Sequence, residues 1–167
     1  MVVKESSLNK YKAIFARNGV EFIALGKEEE DIERMVNILV NIKSSFLFPT
    51  DDKEQLYKYA KKLIDNGNNF VLNKEGEDMG VVSIYCNDFV TKTAYTSTIG
   101  IIPSQRGGRL ITYIVSFALE FAKEVGMERY RAEVHKINAK WLNLLLKYNF
   151  QIEKETEDGT YMIVKDL

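Results

Sequence analysis

The segment from Ala94 to Gly126 constrains the fold more than any other part of the chain. It reads as a strand (Ala94 to Ile102), the loop Pro103-Ser104-Gln105-Arg106-Gly107-Gly108-Arg109, and an apolar-periodic helix that stops at Gly126. The first N–H groups of a helix have no partner inside it, and the helix dipole places about half a positive charge there, so a strand-loop-helix unit of this kind can cradle an anion such as phosphate. Two adjacent glycines let the backbone come close to such a ligand. Ile111, Ile114, Val115, Ala118, Ala122 and Val125 recur at three- and four-residue spacing, so one face of the helix is buried and presses the loop against a sheet.

The remaining segments supply that sheet and its cover. Helices are predicted from Ser6 or Ser7 to Arg17, stopped by Asn18-Gly19, and from Glu28 to Ile42, with Ile32, Met35, Val36 and Leu39 inward. A third helix, announced by Thr50-Asp51 and Glu54, runs to Asn66-Gly67. Between the second and third lies Phe46-Leu47-Phe48-Pro49, which reads either as packing or as a substrate wall. Val20 to Leu25 is a first strand, and alternation then marks Phe70 to Leu72, Gly80 to Cys86 and Ala94 to Ile102 as an antiparallel meander. After the cradle helix come a strand (Arg129 to Val134), a helix (Asn138 to Tyr148) and a closing pair, Phe150 to Glu155 and Thr160 to Lys165, turning at Asp158-Gly159. The order describes one α+β domain over 1–167, with residues 1–19 as an added N-terminal helix and a single crossover near the middle.

Composition narrows the function. At 167 residues, 46% apolar and 28% charged, the chain can bury a full core without a staple. A net charge of -1 and no long basic run argue against nucleic acid as a partner. No apolar segment reaches the ~20 residues that span a bilayer, so no membrane association is expected. The single cysteine, Cys86, in an apolar strand, reads as a structural thiol of a reducing, cytoplasmic compartment. No metal site is expected.

The residues Pro103-Ser104-Gln105-Arg106-Gly107, with Ala122 and Gly126 following, then Asn138 opening a helix that ends in Lys147-Tyr148-Asn149-Phe150, resemble the GNAT superfamily of N-acetyltransferases. The resemblance spans roughly residues 20 to 167 and is most specific from Ile99 to Phe150. It implies a mixed, mostly antiparallel central sheet with helices on both faces. It also implies acetyl-coenzyme A (acetyl-CoA) as co-substrate and the amine of a small molecule as acceptor. The turn Arg106, Gly107, Gly108, Arg109, Leu110 and Ile111 would hold the pyrophosphate, with Gln105 beside it in a register shifted by one. Gly100, Ile101 and Ile102 would form the strand edge along the pantetheine arm, and Asn138 would face the same ligand.

The match has departures. Arg109 and Ile111 stand where the family carries small residues; Arg109 either contacts phosphate through its guanidinium or is a solvated helix-start residue. Leu145 occupies the position of the tyrosine that the family uses to protonate the departing thiolate, and Tyr148, nearly one turn further on, is the candidate substitute. Glu133 and His135, at the end of the strand facing the site, are the candidate bases, each with the plain alternative of a strand-end surface residue. Three functions are therefore carried forward: an acetyl-CoA-dependent N-acetyltransferase, an acyl-CoA-binding module without turnover, and an acyltransferase using a longer or carrier-linked donor. The added N-terminal helix also offers a surface for a homodimer.

Overall fold

Helix α1 (Ser7–Ala16) starts where the Ser6 side chain accepts a hydrogen bond from the Asn9 N–H. The short strand β1 (Glu21–Ala24) follows, and then α2 (Glu29–Ile42), whose first turn carries Glu29, Glu30 and Asp31 against the positive end of the helix dipole. The computed structural model describes residues 6–42 and 52–167, so the Phe46-Leu47-Phe48-Pro49 segment and the Thr50-Asp51 cap lie outside the described residues. Asp52 caps α3 (Lys53–Asn66) by accepting from the N–H groups of Glu54 and Gln55. Strands β2 (Asn68–Lys74) and β3 (Glu77–Asp88) turn at Glu75-Gly76, both with positive φ (54° and 83°), the hairpin geometry that suits twisted strands. Strand β4 (Thr93–Ile101) continues the meander.

A short 3-10 turn (Pro103–Gln105) leads into α4 (Leu110–Val125), which ends because Gly126 adopts φ 107°, a left-handed conformation that costs a glycine little. Then come β5 (Arg129–His135), α5 (Ala139–Lys147), β6 (Gln151–Glu155) and β7 (Thr160–Asp166). The strand order is β1-β2-β3-β4-β5-β7-β6, antiparallel except between β4 and β5. Two helical crossovers are present rather than the single one expected. Besides α4, helix α5 carries the chain past the place of β7, which then folds back between β5 and β6. Local patterning sees the β6–β7 hairpin but not which of its strands sits inside.

Helices lie on both faces, as the resemblance implied. One core joins α1, α4 and α5 to the sheet through Phe15, Phe22, Phe70 and Phe117, whose rings meet at centroid distances of 4.7–5.6 Å. The added helix α1 is bound to α4 by polar contacts as well: Ser7 to Glu124, and Lys10 and Tyr11 to Glu120. Burial, reinforced by Glu120, pushes the Tyr11 hydroxyl up to about 12. The second core places α2 and α3 over the other face, where its sheet residues are Val71 and Val81 with Tyr85 alongside. Past Tyr85, α3 reaches β4 through the Tyr59 hydroxyl, which is bonded to the Ser97 and Thr98 hydroxyls, and among the described residues this core does not extend over β5 and β7. Cys86 is buried, which pushes its thiol up to about 11, in keeping with a structural role.

The second core is closed at the β2–β3 turn by Arg34, which donates from Nε and a terminal nitrogen to the two Asp78 carboxylate oxygens, each at 2.7 Å. Asn73 donates to the same carboxylate at 2.8 Å. Burial opposes ionisation of Asp78, but the hydrogen bonds from Arg34 and Asn73 outweigh it and hold the carboxyl below its ordinary range. Because this lowered value belongs to the folded state, the stabilisation is complete above the unfolded carboxylate pKa, about 4, and is lost as pH falls through the folded value. Asp78→Ala should therefore cost about 1–3 kcal/mol in urea unfolding at pH 7. The gap between variant and wild type should close on acidification below about pH 4. Equal urea midpoints at pH 7 would remove Asp78 from the list of stabilising contacts.

Candidate active site

Strands β4 and β5 pair at only three positions, Thr93 with Arg129, Ala94 with Tyr130 and Tyr95 with Arg131. They then part, β4 running on to Ile101 and β5 to His135. A bulge accompanies the parting. Ser83 of β3 opposes Thr98 and Ile84 opposes Thr96, which leaves Ser97 as an extra residue that turns β4. At the vertex the Thr96 and Tyr130 hydroxyls are hydrogen-bonded, and complete burial pushes the Tyr130 hydroxyl above its ordinary range. The Ile102 N–H donates to the Met79 carbonyl of β3 at 2.8 Å. By the alternation of a strand, the N–H and C=O groups of Ile99 and Ile101 therefore point into the gap.

The gap opens into a cleft of about 760 Å³ between β4, β5, the cradle loop, α4 and α5. Of the residues expected to hold the co-substrate, Gly100, Ile101, Gln105, Arg106, Gly107, Gly108, Ile111 and Asn138 line it, whereas Ile102, Arg109 and Leu110 do not. Arg106 braces the loop by donating from Nε to the Ile101 carbonyl at 2.9 Å. Gly107 has φ 90°, so its lack of a side chain is a backbone requirement. Gly108 has no such strain, and a Cβ built on it meets nothing within 4 Å. Its surroundings are open space at the start of α4, whose N-terminus has no side-chain cap. An open, uncapped helix start with Arg106 and Lys140 on the cleft walls fits a phosphorylated, extended ligand. Among the described residues no cluster of histidine, cysteine or carboxylate side chains has metal-holding geometry.

The candidate catalytic residues separate. Glu133 lines this cleft and also a second groove on the opposite face of the sheet, and among the described residues its carboxylate makes no ion pair or hydrogen bond. His135 lines the cleft, but both ring nitrogens are engaged: Nε2 with the Asp158 carbonyl at 2.8 Å and Nδ1 with the Ile137 N–H at 3.2 Å. A neutral ring that donates from Nε2 and accepts at Nδ1 satisfies both contacts and leaves no lone pair for a substrate proton. Tyr148 does not line the cleft. Its hydroxyl donates to the Thr112 carbonyl at 3.1 Å and meets the Ser116 hydroxyl at 3.2 Å, fastening the end of α5 to α4. Leu145 does face the cleft and is buried, so the place of the family's tyrosine is an apolar wall.

Several lining residues escaped the sequence reading. Trp141 lies at helical spacing between Asn138 and Leu145, a signal that was available. Ser97 and Tyr130 carried none, because a bulge and its cross-strand partner depend on register. The second groove, about 810 Å³, is bounded by Lys62 and Asn66 of α3, by Tyr85 and Tyr95, whose rings stack at 6.2 Å, and by Arg131, Glu133 and Glu153. Tyr85's hydroxyl faces Ser97 but is the one buried side-chain polar atom among the described residues without a hydrogen bond.

The profile of the acetyltransferase (GNAT) family matches residues 32–150. Among solved structures, the chain is similar to the IAA acetyltransferase from Bacillus cereus, with a TM-score of 0.65 and 18% identity over 89% of this chain and 99% of that one. It is also similar to PH1933 from Pyrococcus horikoshii, with a TM-score of 0.72 and 12% identity over 89% and 98%. A third is the ribosomal-protein-S18-alanine N-acetyltransferase from Escherichia coli, with a TM-score of 0.68 and 17% identity over 88% and 93%. Identities this low speak for the fold alone, and a comparison with curated proteins gives no significant match. With the family profile covering most of the chain and the parted strands, cradle and α5 in their places, the chain belongs to the GNAT family of acetyltransferases.

Proposed function

We propose that the chain transfers an acetyl group from acetyl-CoA to the amine of a small molecule. The observation that carries this reading is Glu133, an unpaired carboxylate on the edge of the gap, shared by the co-substrate cleft and the groove on the opposite face. Bound acetyl-CoA would supply the activated acetyl group as a thioester. Gly107, Gly108 and the first N–H groups of α4 would hold its diphosphate, and the polar edges at Ile99 and Ile101 its pantetheine amides. An acceptor ammonium entering from the groove side reaches Glu133, which takes its proton directly or through one water and leaves a neutral, nucleophilic amine. Confinement of both reactants at the vertex supplies the rest, since positioning can contribute several kcal/mol.

A second reading rests on Leu145 and Tyr148. With an apolar wall at the position of the family's proton donor and Tyr148 turned to α4, the protonation of the departing thiolate falls to solvent, and a binding module without turnover becomes the competing function. Thiol release with a panel of amines decides between the two.

Gly108→Ala should leave stability unchanged, because the free protein has room for the methyl group, yet weaken coenzyme A binding by about tenfold, the loss of roughly one charged hydrogen bond. Gly107→Ala should instead lower stability by about 1–2 kcal/mol through its left-handed backbone. Full affinity in Gly108→Ala, measured by calorimetry, sinks the cradle. Glu133→Gln should retain coenzyme A binding and lose about 10²–10⁴-fold in kcat/KM. Tyr148→Phe should change turnover little. A fully active Glu133→Gln would transfer the role of base elsewhere.

A further inference from the structure

We infer that the acceptor is an amine that carries its own anionic group, and that Arg131, on the part of the sheet that the described helices leave uncovered, receives that anion. The inference deepens the proposed transfer and rests on it. Alternation along β5 places Arg129, Arg131 and Glu133 on one face, which α2 and α3 leave uncovered at this strand. Arg129 is engaged with Asp166 at 3.6 Å. Arg131, like Glu133, makes no ion pair or side-chain hydrogen bond among the described residues. Two residues of strand separate them, about 7 Å along the backbone, far enough that the two charges leave each other free.

Both charges act in one place. Tyr95 is the register partner of Arg131, and the hydroxyl of Tyr95 is pushed up to about 12 first by burial and then by Glu133, with Arg131 working against the shift. The Tyr85–Tyr95 stack walls the groove beside them, and Lys62 of α3 adds a second cation. A simple amine docked at Glu133 would face Arg131 as a like charge, offset within the groove only by Glu153 and Asp88. An acceptor with a carboxylate or phosphate some four or five bonds from its amine instead pairs with both side chains, and a guanidinium binds either anion through two parallel hydrogen bonds.

The test uses the intact chain and compares 5-aminopentanoate and 4-aminobutyl phosphate with pentylamine, by calorimetric binding with coenzyme A present and by thiol release from acetyl-CoA. The wild type should bind at least one anionic amine about tenfold or more tightly than pentylamine, and the preferred anion identifies the acceptor's acidic group. Arg131→Ala should abolish that preference through KM with kcat nearly unchanged, and Arg131→Lys should restore part of it. Equal binding of all three amines by the wild type, or an undiminished preference in Arg131→Ala, overturns the inference. Arg131-dependent binding of an anionic amine without thiol release upholds the groove while refuting acetyl transfer, so the two readings fail separately.

Discussion

Three residue pairs hold β4 to β5, and the rest of the site depends on their not being more. A fully paired sheet would satisfy the backbone groups of Ile99 and Ile101 internally and leave no opening between the faces. The bulge at Ser97 and the crossover through α4 keep the strands apart above the Thr96–Tyr130 contact. Unpaired backbone groups are costly when buried and cheap when a polar ligand or water meets them. The parted strands are thus stable as an open edge, and they present a row of donors and acceptors to an extended amide-bearing molecule.

The two faces differ in what covers them. On one, α1, α4 and α5 enclose a core rich in phenylalanine, and α4 presents its uncapped start to the cleft. On the other, α3 reaches β4 through Tyr59, the described helices leave β5 uncovered, and the exposed strand surface carries charges of both signs. In the proposed transfer the first face would take a donor with several phosphates and the second a charged, compact acceptor. Glu133 lines both the cleft and the groove, so in that transfer it would stand where the reactive ends of the two reactants meet.

Much of this was legible in the residues. Apolar spacing located the helices, alternation located the meander, and Gly107 and Gly126 marked the loop and the helix stop because each answers to local backbone geometry. What stayed hidden was decided by distant pairing. The position of β7 inside β6 depends on hydrogen bonds to β5 that no local pattern encodes. His135 reads as a base and Tyr148 as an acid, and no local pattern shows that the turn at Asp158 sets a carbonyl on the one Nε2 or that the end of α5 aims the other at Thr112. Arg131 is not singled out by the sequence, since nothing in it tells which half of a sheet face its helices leave uncovered.

The added helix carries a consequence for synthesis. Its Ser7 is bonded to Glu124, 117 positions later in the chain. At ribosomal speeds α1 emerges on the order of ten seconds before the helix it rests upon. During that interval Tyr11 and Phe15 lack Phe117 and Tyr113, the α4 rings that later enclose them. Helix α1 must therefore wait for α4, and the nascent chain carries a partly unsheltered aromatic stripe until α4 has left the ribosome.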